Sequence, residues 1–116
     1  MIQWLSVFVA SIVNQAGVPP VYLECSILRA EGSFLVEMVI SEAEQRVTVA
    51  LPNTGKIDTR TALFSPTKVE VPDGPTTWTI DRVNLGIRRT FSFMPPADPG
   101  ESGTCKVRPT PAKRAF

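Results

Sequence analysis

Turn-forming residues interrupt this chain about every ten residues, and between the interruptions apolar side chains alternate with polar ones. Residues 76–93, TTWTIDRVNLGIRRTFSF, carry the pattern most clearly. Trp78 and Ile80 lie two apart, as do Phe91 and Phe93, while Thr77, Thr79, Thr90 and Ser92 take the positions between. A period of two sends successive side chains to opposite faces of an extended strand, so one face is apolar and the other wet. Between the two runs, Asp81 can bond the local backbone, Asn84 tolerates positive φ and Gly86 adopts it freely. The stretch therefore predicts a β-hairpin with a structural corner at Asp81, Arg82 and Gly86. Arg82 is either a solvated charge or a guanidinium folded back onto the corner carboxylate or carbonyls. On the second strand Arg88 points outward with Thr90, whereas alternation sends Arg89 inward beside Ile87 and Phe91, which requires a bulge or an ion pair.

The same reading extends along the chain. Residues 21–29 place Val21, Leu23, Cys25 and Ile27 on one face, and residues 34–40 do so with Phe34, Val36, Met38 and Ile40. The run LVEMVISEAEQ contains good helix formers, yet residues 46–51 alternate cleanly through Val47, Val49 and Leu51, which favours strands joined by a loop at 41–45. Pro52-Asn53-Thr54-Gly55 is a turn, residues 57–64 form a short strand, and Ser65-Pro66 leads into a strand at 67–71. Pro72-Asp73-Gly74-Pro75 turns again, and residues 94–103, with three prolines and two glycines, form a loop before a short closing strand at 104–107. The fold class is all-β: an antiparallel meander of about eight short strands forming a small barrel or sandwich.

Residues 1–16 are uncharged and include a ten-residue, mostly apolar run from Trp4 to Val13. A bilayer needs about 20 apolar residues, so no stable transmembrane segment is expected. The run resembles a secretory signal with cleavage after Ala16; the competing uses are a buried first helix or strand and a retained anchor. The expected organisation is a signal peptide at 1–16, one β-domain at 17–108 and a basic C-terminal tail at 109–116. At 116 residues the chain suits a single modest core.

The two cysteines, Cys25 and Cys105, both fall among inward positions of terminal strands. A bond between them would tie the ends of the domain and requires an oxidising compartment. The alternative, two buried free thiols, belongs to a reducing one. Together with the signal-like start, the pair points to a periplasmic or extracellular, secreted protein.

Composition excludes more chemistry than it offers. Histidine is absent, which removes Ser-His-Asp and Cys-His nucleophiles and the commonest transition-metal ligand. Two cysteines do not complete a structural zinc site. Twelve basic and eleven acidic residues leave a charge of +1, which makes no case for nucleic acid, and the aromatics beside Arg88 and Arg89 lie on the core face. Carboxylates such as Asp58, Asp73 and Asp81 are scattered and form no recognisable acid–base pair. No catalytic, metal or cofactor-binding residue is assigned.

A strand carrying Cys25 near the expected mature start, the T-W-T-I-D-R strand and corner with its later Gly86, the S-G-T-C-K segment and the end P-A-K-R-A-F resemble small uncharacterised secreted β-rich proteins of proteobacteria. That resemblance implies compartment and a β-rich fold, and no activity. The function expected is therefore that of a non-enzymatic secreted or periplasmic interaction or envelope-associated domain, with an unknown protein or envelope component as partner. The alternative is a small apolar ligand carrier with a lipocalin-like barrel. Against the carrier, Phe34, Met38, Phe64, Trp78, Phe91 and Phe93 are expected to fill so small an interior.

Overall fold

Extended segments must pair their backbone groups, and short turns give each strand its predecessor as partner. The structure, a computed structural model, describes residues 19–109. Its strands are β1 (Val21–Arg29), β2 (Gly32–Ser41), β3 (Arg46–Leu51), β4 (Lys56–Thr61), β5 (Leu63–Phe64), β6 (Lys68–Asp73), β7 (Thr76–Asp81), β8 (Gly86–Phe91) and β9 (Glu101–Arg108). All pairings are antiparallel, in the order β4-β3-β2-β1-β9-β8-β7-β6-β5. Two meanders are thus joined where the first strand meets the last. The strands at the two ends of that order, β4 and β5, are consecutive in the chain, with Ala62 between them. Ala62 is buried, and its N–H donates to the Gln45 carbonyl at 2.9 Å. One bent segment therefore pairs first with β3 and then with β6, which curls the sheet into a nearly closed barrel. Across the remaining gap between β4 and β6, Arg60 reaches Asp73 at 2.8 Å.

The alternate residues of each strand meet inside. Cys25, Ile27, Val36, Met38, Val47, Val71, Trp78 and Ile80 are fully buried, contributed by β1, β2, β3, β6 and β7. At β1–β9, Cys25 and Cys105 are directly opposite with Cα atoms 3.9 Å apart and are joined by a disulfide across 80 residues of sequence. The Cys105 N–H points the other way, to the Leu85 carbonyl at 2.8 Å, so the cysteines occupy the pair type whose side chains approach most closely. In the loop-entropy account a link of that span is worth roughly 4 kcal/mol. Arg108 donates to Glu24 at 2.7 and 2.9 Å on the same strand pair, and Lys106 lies 3.5 Å from that carboxylate. Gly103 lets the two backbones approach: a Cβ there would collide with the Ser26 carbonyl.

The strand boundaries depart from expectation in four places. The single strand at 57–64 is two, broken at buried Ala62 where it changes partner. β6 runs on through Pro72 and Asp73, because Pro72 pairs opposite Thr77 within the ladder and the turn needs Gly74-Pro75 alone. β9 starts at Glu101 rather than at 104, since Arg89 and Arg88 supply partners for Glu101 and Ser102. Phe93 lies beyond β8, exposed, and stacks on Phe91 at 5.2 Å instead of entering the core. The expected signal peptide at 1–16 and, apart from Pro109, the basic tail lie outside the described residues.

Candidate functional site

Strand direction gives the barrel a near end, where β1 begins and β9 finishes, and a far end, where β1 finishes and β9 begins. The near end is built around the corner at 81–86. Asp81 Oδ1 accepts from the backbone N–H groups of Val83 and Asn84 at 2.7 and 3.0 Å, and Asn84 Oδ1 accepts from the Gly86 N–H at 2.7 Å. These are the local bonds that Asp and Asn make in turns. The residue with positive φ is neither Asn84 nor Gly86 but Leu85, at 63°. For a side chain with a Cβ that conformation costs about 1 kcal/mol or more. It is held by the Leu85 N–H on the Asp81 carbonyl at 2.9 Å and by the Cys105 N–H on the Leu85 carbonyl. A Cβ at Gly86 would stand 3.0 Å from Asn84 Oδ1, so that side chain, which accepts from the Gly86 N–H, would have to give by a few tenths of an ångström.

Arg82 does not turn back on its own corner. Its guanidinium crosses to the β2–β3 turn, where it holds both Glu42 oxygens at 2.8 and 3.3 Å, and it donates to the Ser65 carbonyl at 2.8 Å. Three turns of the near end are thereby fastened together.

Beneath this fastening lies a cavity of about 230 Å³. Leu23, Ile40, Val69, Ile80 and Leu85 form its apolar wall, with Phe64 at one side. Polar groups reach it at Glu42 and Arg82, which neutralise one another. Val21 and Val107 stand on its lip, 42% and 55% exposed. Val83, in the corner at the same end, is exposed as well.

The far end is plugged. There the inward positions of the same strands carry Arg29, Phe34, Asp73, Arg89, Phe91 and Glu101. Glu101 pairs with Arg29 at 3.0 Å and with Arg89 at 3.5 Å. The Arg89 guanidinium lies 4.8–5.5 Å from the ring centres of Phe34, Trp78 and Phe91, and Arg29 covers Phe34 at 4.7 Å. Alternation does send Arg89 inward, and an ion pair rather than a bulge receives it. Burial pulls the Arg89 guanidinium below its ordinary value, and the Glu101 carboxylate opposes that shift. Arg88 points out and donates to the Pro99 carbonyl at 3.3 Å. The indole Nε1 of Trp78 is buried with no hydrogen-bond partner among the described residues.

The scattered carboxylates serve structure. Asp58 lies 3.6 Å from Lys56 and 3.8 Å from Arg60, Asp73 closes the gap between β4 and β6, and Asp81 caps its turn. Among the described residues there is no group of three or more His, Cys, Asp or Glu side chains placed to hold a metal, and no helix long and apolar enough to cross a membrane. Fold and geometry thus define a disulfide-tied, nearly closed β-barrel with one apolar, open end and one charged, filled end. No family model, curated protein or solved structure gives a significant match to the chain.

The sequence places Val21, Leu23, Ile40, Val69, Ile80 and Val107 on inward faces but assigns them to a filled core. What it does not reveal is that the bulky inward aromatics gather toward the far half, so that Phe64 stands alone among aliphatic side chains at the near end.

Proposed function

We propose that this chain is a non-enzymatic, extracytoplasmic β-domain that works by contact with an envelope component, and that the near end of the barrel is its contact face. The observation that carries the reading is the apolar lip: Val21 and Val107 are exposed at the mouth of an apolar cavity whose two charged groups, Glu42 and Arg82, pair with one another. Exposed apolar side chains grouped round a concave surface mark interaction sites more often than scattered ones do. The cross-strand disulfide supports the compartment, because such bonds persist under oxidising conditions.

The carrier reading draws on the same cavity, which has room for part of an apolar ligand. To test the contact face, a photo-crosslinking residue is placed at Val83 or Val107, and for comparison at Glu31 or Phe93 on the far end. Adducts in the native host are expected from the first two positions, in the extracytoplasmic fraction, on chains with an intact disulfide. Equal adducts from both ends, or a cytoplasmic chain with reduced cysteines, would contradict the proposal.

A further inference from the structure

The near-end cavity has the chemistry of a site for one class of small molecule. We infer that it binds a short aliphatic chain ending in an uncharged hydroxyl-type head, an inference that rests on reading the near end as the binding face. The size follows from the volume: at about 30 Å³ per water-sized atom, roughly 230 Å³ holds about eight non-hydrogen atoms. The tail follows from the wall, where Leu23, Ile40, Val69, Ile80 and Leu85 offer aliphatic surface and no polar atom of a side chain.

The head follows from the rim. Arg82 gives three hydrogen bonds, two to Glu42 and one to the Ser65 carbonyl, out of five N–H donors. It therefore has donors to spare, while the Glu42 carboxylate beside it has lone pairs to spare. A hydroxyl can accept from the one and donate to the other. A carboxylate head would meet Glu42 as well as Arg82, and an ammonium head Arg82 as well as Glu42, so neither charge gains a net attraction to offset the hydration it gives up. The rim is a neutral pair, so it selects a neutral group.

Leu85 supplies the second, independent observation. A leucine is held in the left-handed region, at a φ of 63°, with its side chain on the cavity wall. Glycine or asparagine would take that backbone more readily. Backbone strain retained where it aims a side chain into a cavity is characteristic of binding surfaces.

The test uses the whole chain, oxidised, with 1-octanol, octanoate and octylamine as probes. Methyl NMR should show saturable shifts with 1-octanol at Leu23, Ile40, Ile80 and Leu85, and little change at Val36 or Val47. Octanoate and octylamine should bind about tenfold more weakly or worse. Val107→Trp and Val21→Trp, which cover the lip from exposed positions, should abolish the shifts and leave the melting temperature within a few degrees. No saturable binding of 1-octanol, equal binding of the charged probes, or binding unchanged in both tryptophan variants would each overturn the inference. Near-end crosslinks obtained together with any of those results would leave the contact face in place and remove only the ligand.

Discussion

The two ends of this barrel are made by the same strands, yet charged side chains cross the mouth of one while the other encloses an apolar cavity of about 230 Å³. What the crossed mouth leaves is an open surface groove of about 670 Å³ outside it, along Leu28, Glu31 and Ser102. At the far end the last inward row is Arg29, Phe34, Asp73, Arg89, Phe91 and Glu101; at the near end it is Val21, Ile40, Phe64, Val69, Ile80 and Val107. Long side chains with charged tips can cross the mouth of a small barrel and cover its aromatic floor. Here they do so with an ion pair at 3.5 Å that leaves Arg89 Nε and Glu101 Oε1 without a hydrogen bond among the described residues. Short branched side chains cannot reach across, so the rim must be fastened from outside the cavity, as Arg82 does through Glu42 and Ser65. The far end therefore covers its aromatic interior, and the near end leaves an apolar surface. Similar period-two patterns produce both outcomes, and the size and charge of one row decide between them.

The largest expected effect comes from emptying the plug. Arg89→Ala removes a half-buried guanidinium from contact with three aromatic rings and weakens the hold on Glu101. A loss of about 2 kcal/mol is expected in urea melts. Arg88→Ala, on the outer face, should cost less than about 0.5 kcal/mol. Equal effects at the two positions would show that the far end is not a plug.

A change at the near end should be milder. Leu85→Gly relieves about 1 kcal/mol of left-handed strain and gives up a comparable amount of apolar contact, so stability should change by less than about 1 kcal/mol. The same variant should lose 1-octanol binding, since it removes part of the wall. A large destabilisation would mean that Leu85 is a core residue and that the near end is as filled as the far one.

The smallest effect belongs to the strand pair that both ends share. The hydrogen bond from Arg108, opposed by partial desolvation and aided by the charges of Arg108 and Lys106, holds the Glu24 carboxyl below its ordinary 4.5. A carboxyl depressed in the folded state stabilises above its unfolded value, and that contribution is lost as pH falls through the folded one. Glu24→Gln should therefore lower the melting temperature slightly at pH 7 and by less at pH 3. An equal drop at both values would show that Glu24 acts by packing alone.

Much of this architecture was legible in the chain. Alternation marked the strands, Asn, Asp, Gly and Pro marked the turns, and the inward positions of Cys25 and Cys105 anticipated their bond. Alternation also sent Arg89 inward against its polarity. What stayed hidden depends on which strand a segment pairs with. In β4 the sequence Lys56-Ile57-Asp58-Thr59-Arg60-Thr61 has two candidate faces, and the register with β3 sets Lys56, Asp58 and Arg60 opposite Leu51, Val49 and Val47, leaving Ile57 67% exposed. Inward charge on a strand with a free edge discourages pairing with other chains, a reason that acts through the sheet and not through local preference. The corner was similar: its residue types announced a turn, but the identity of the strained residue depends on the bond from Cys105, twenty residues away. The cavity itself belongs to no segment, since its lining comes from both meanders.

Xenon binding tests the difference between the two ends most directly, because apolar cavities of roughly 150 Å³ take up xenon without any polar recognition. Crystals of the oxidised chain under xenon pressure should show the gas at the near end, against Leu23, Ile40, Ile80 and Leu85, and none between Phe34, Trp78 and Arg89. Xenon at the far end, or a near end that takes up none, would contradict the account of an open end and a plugged one.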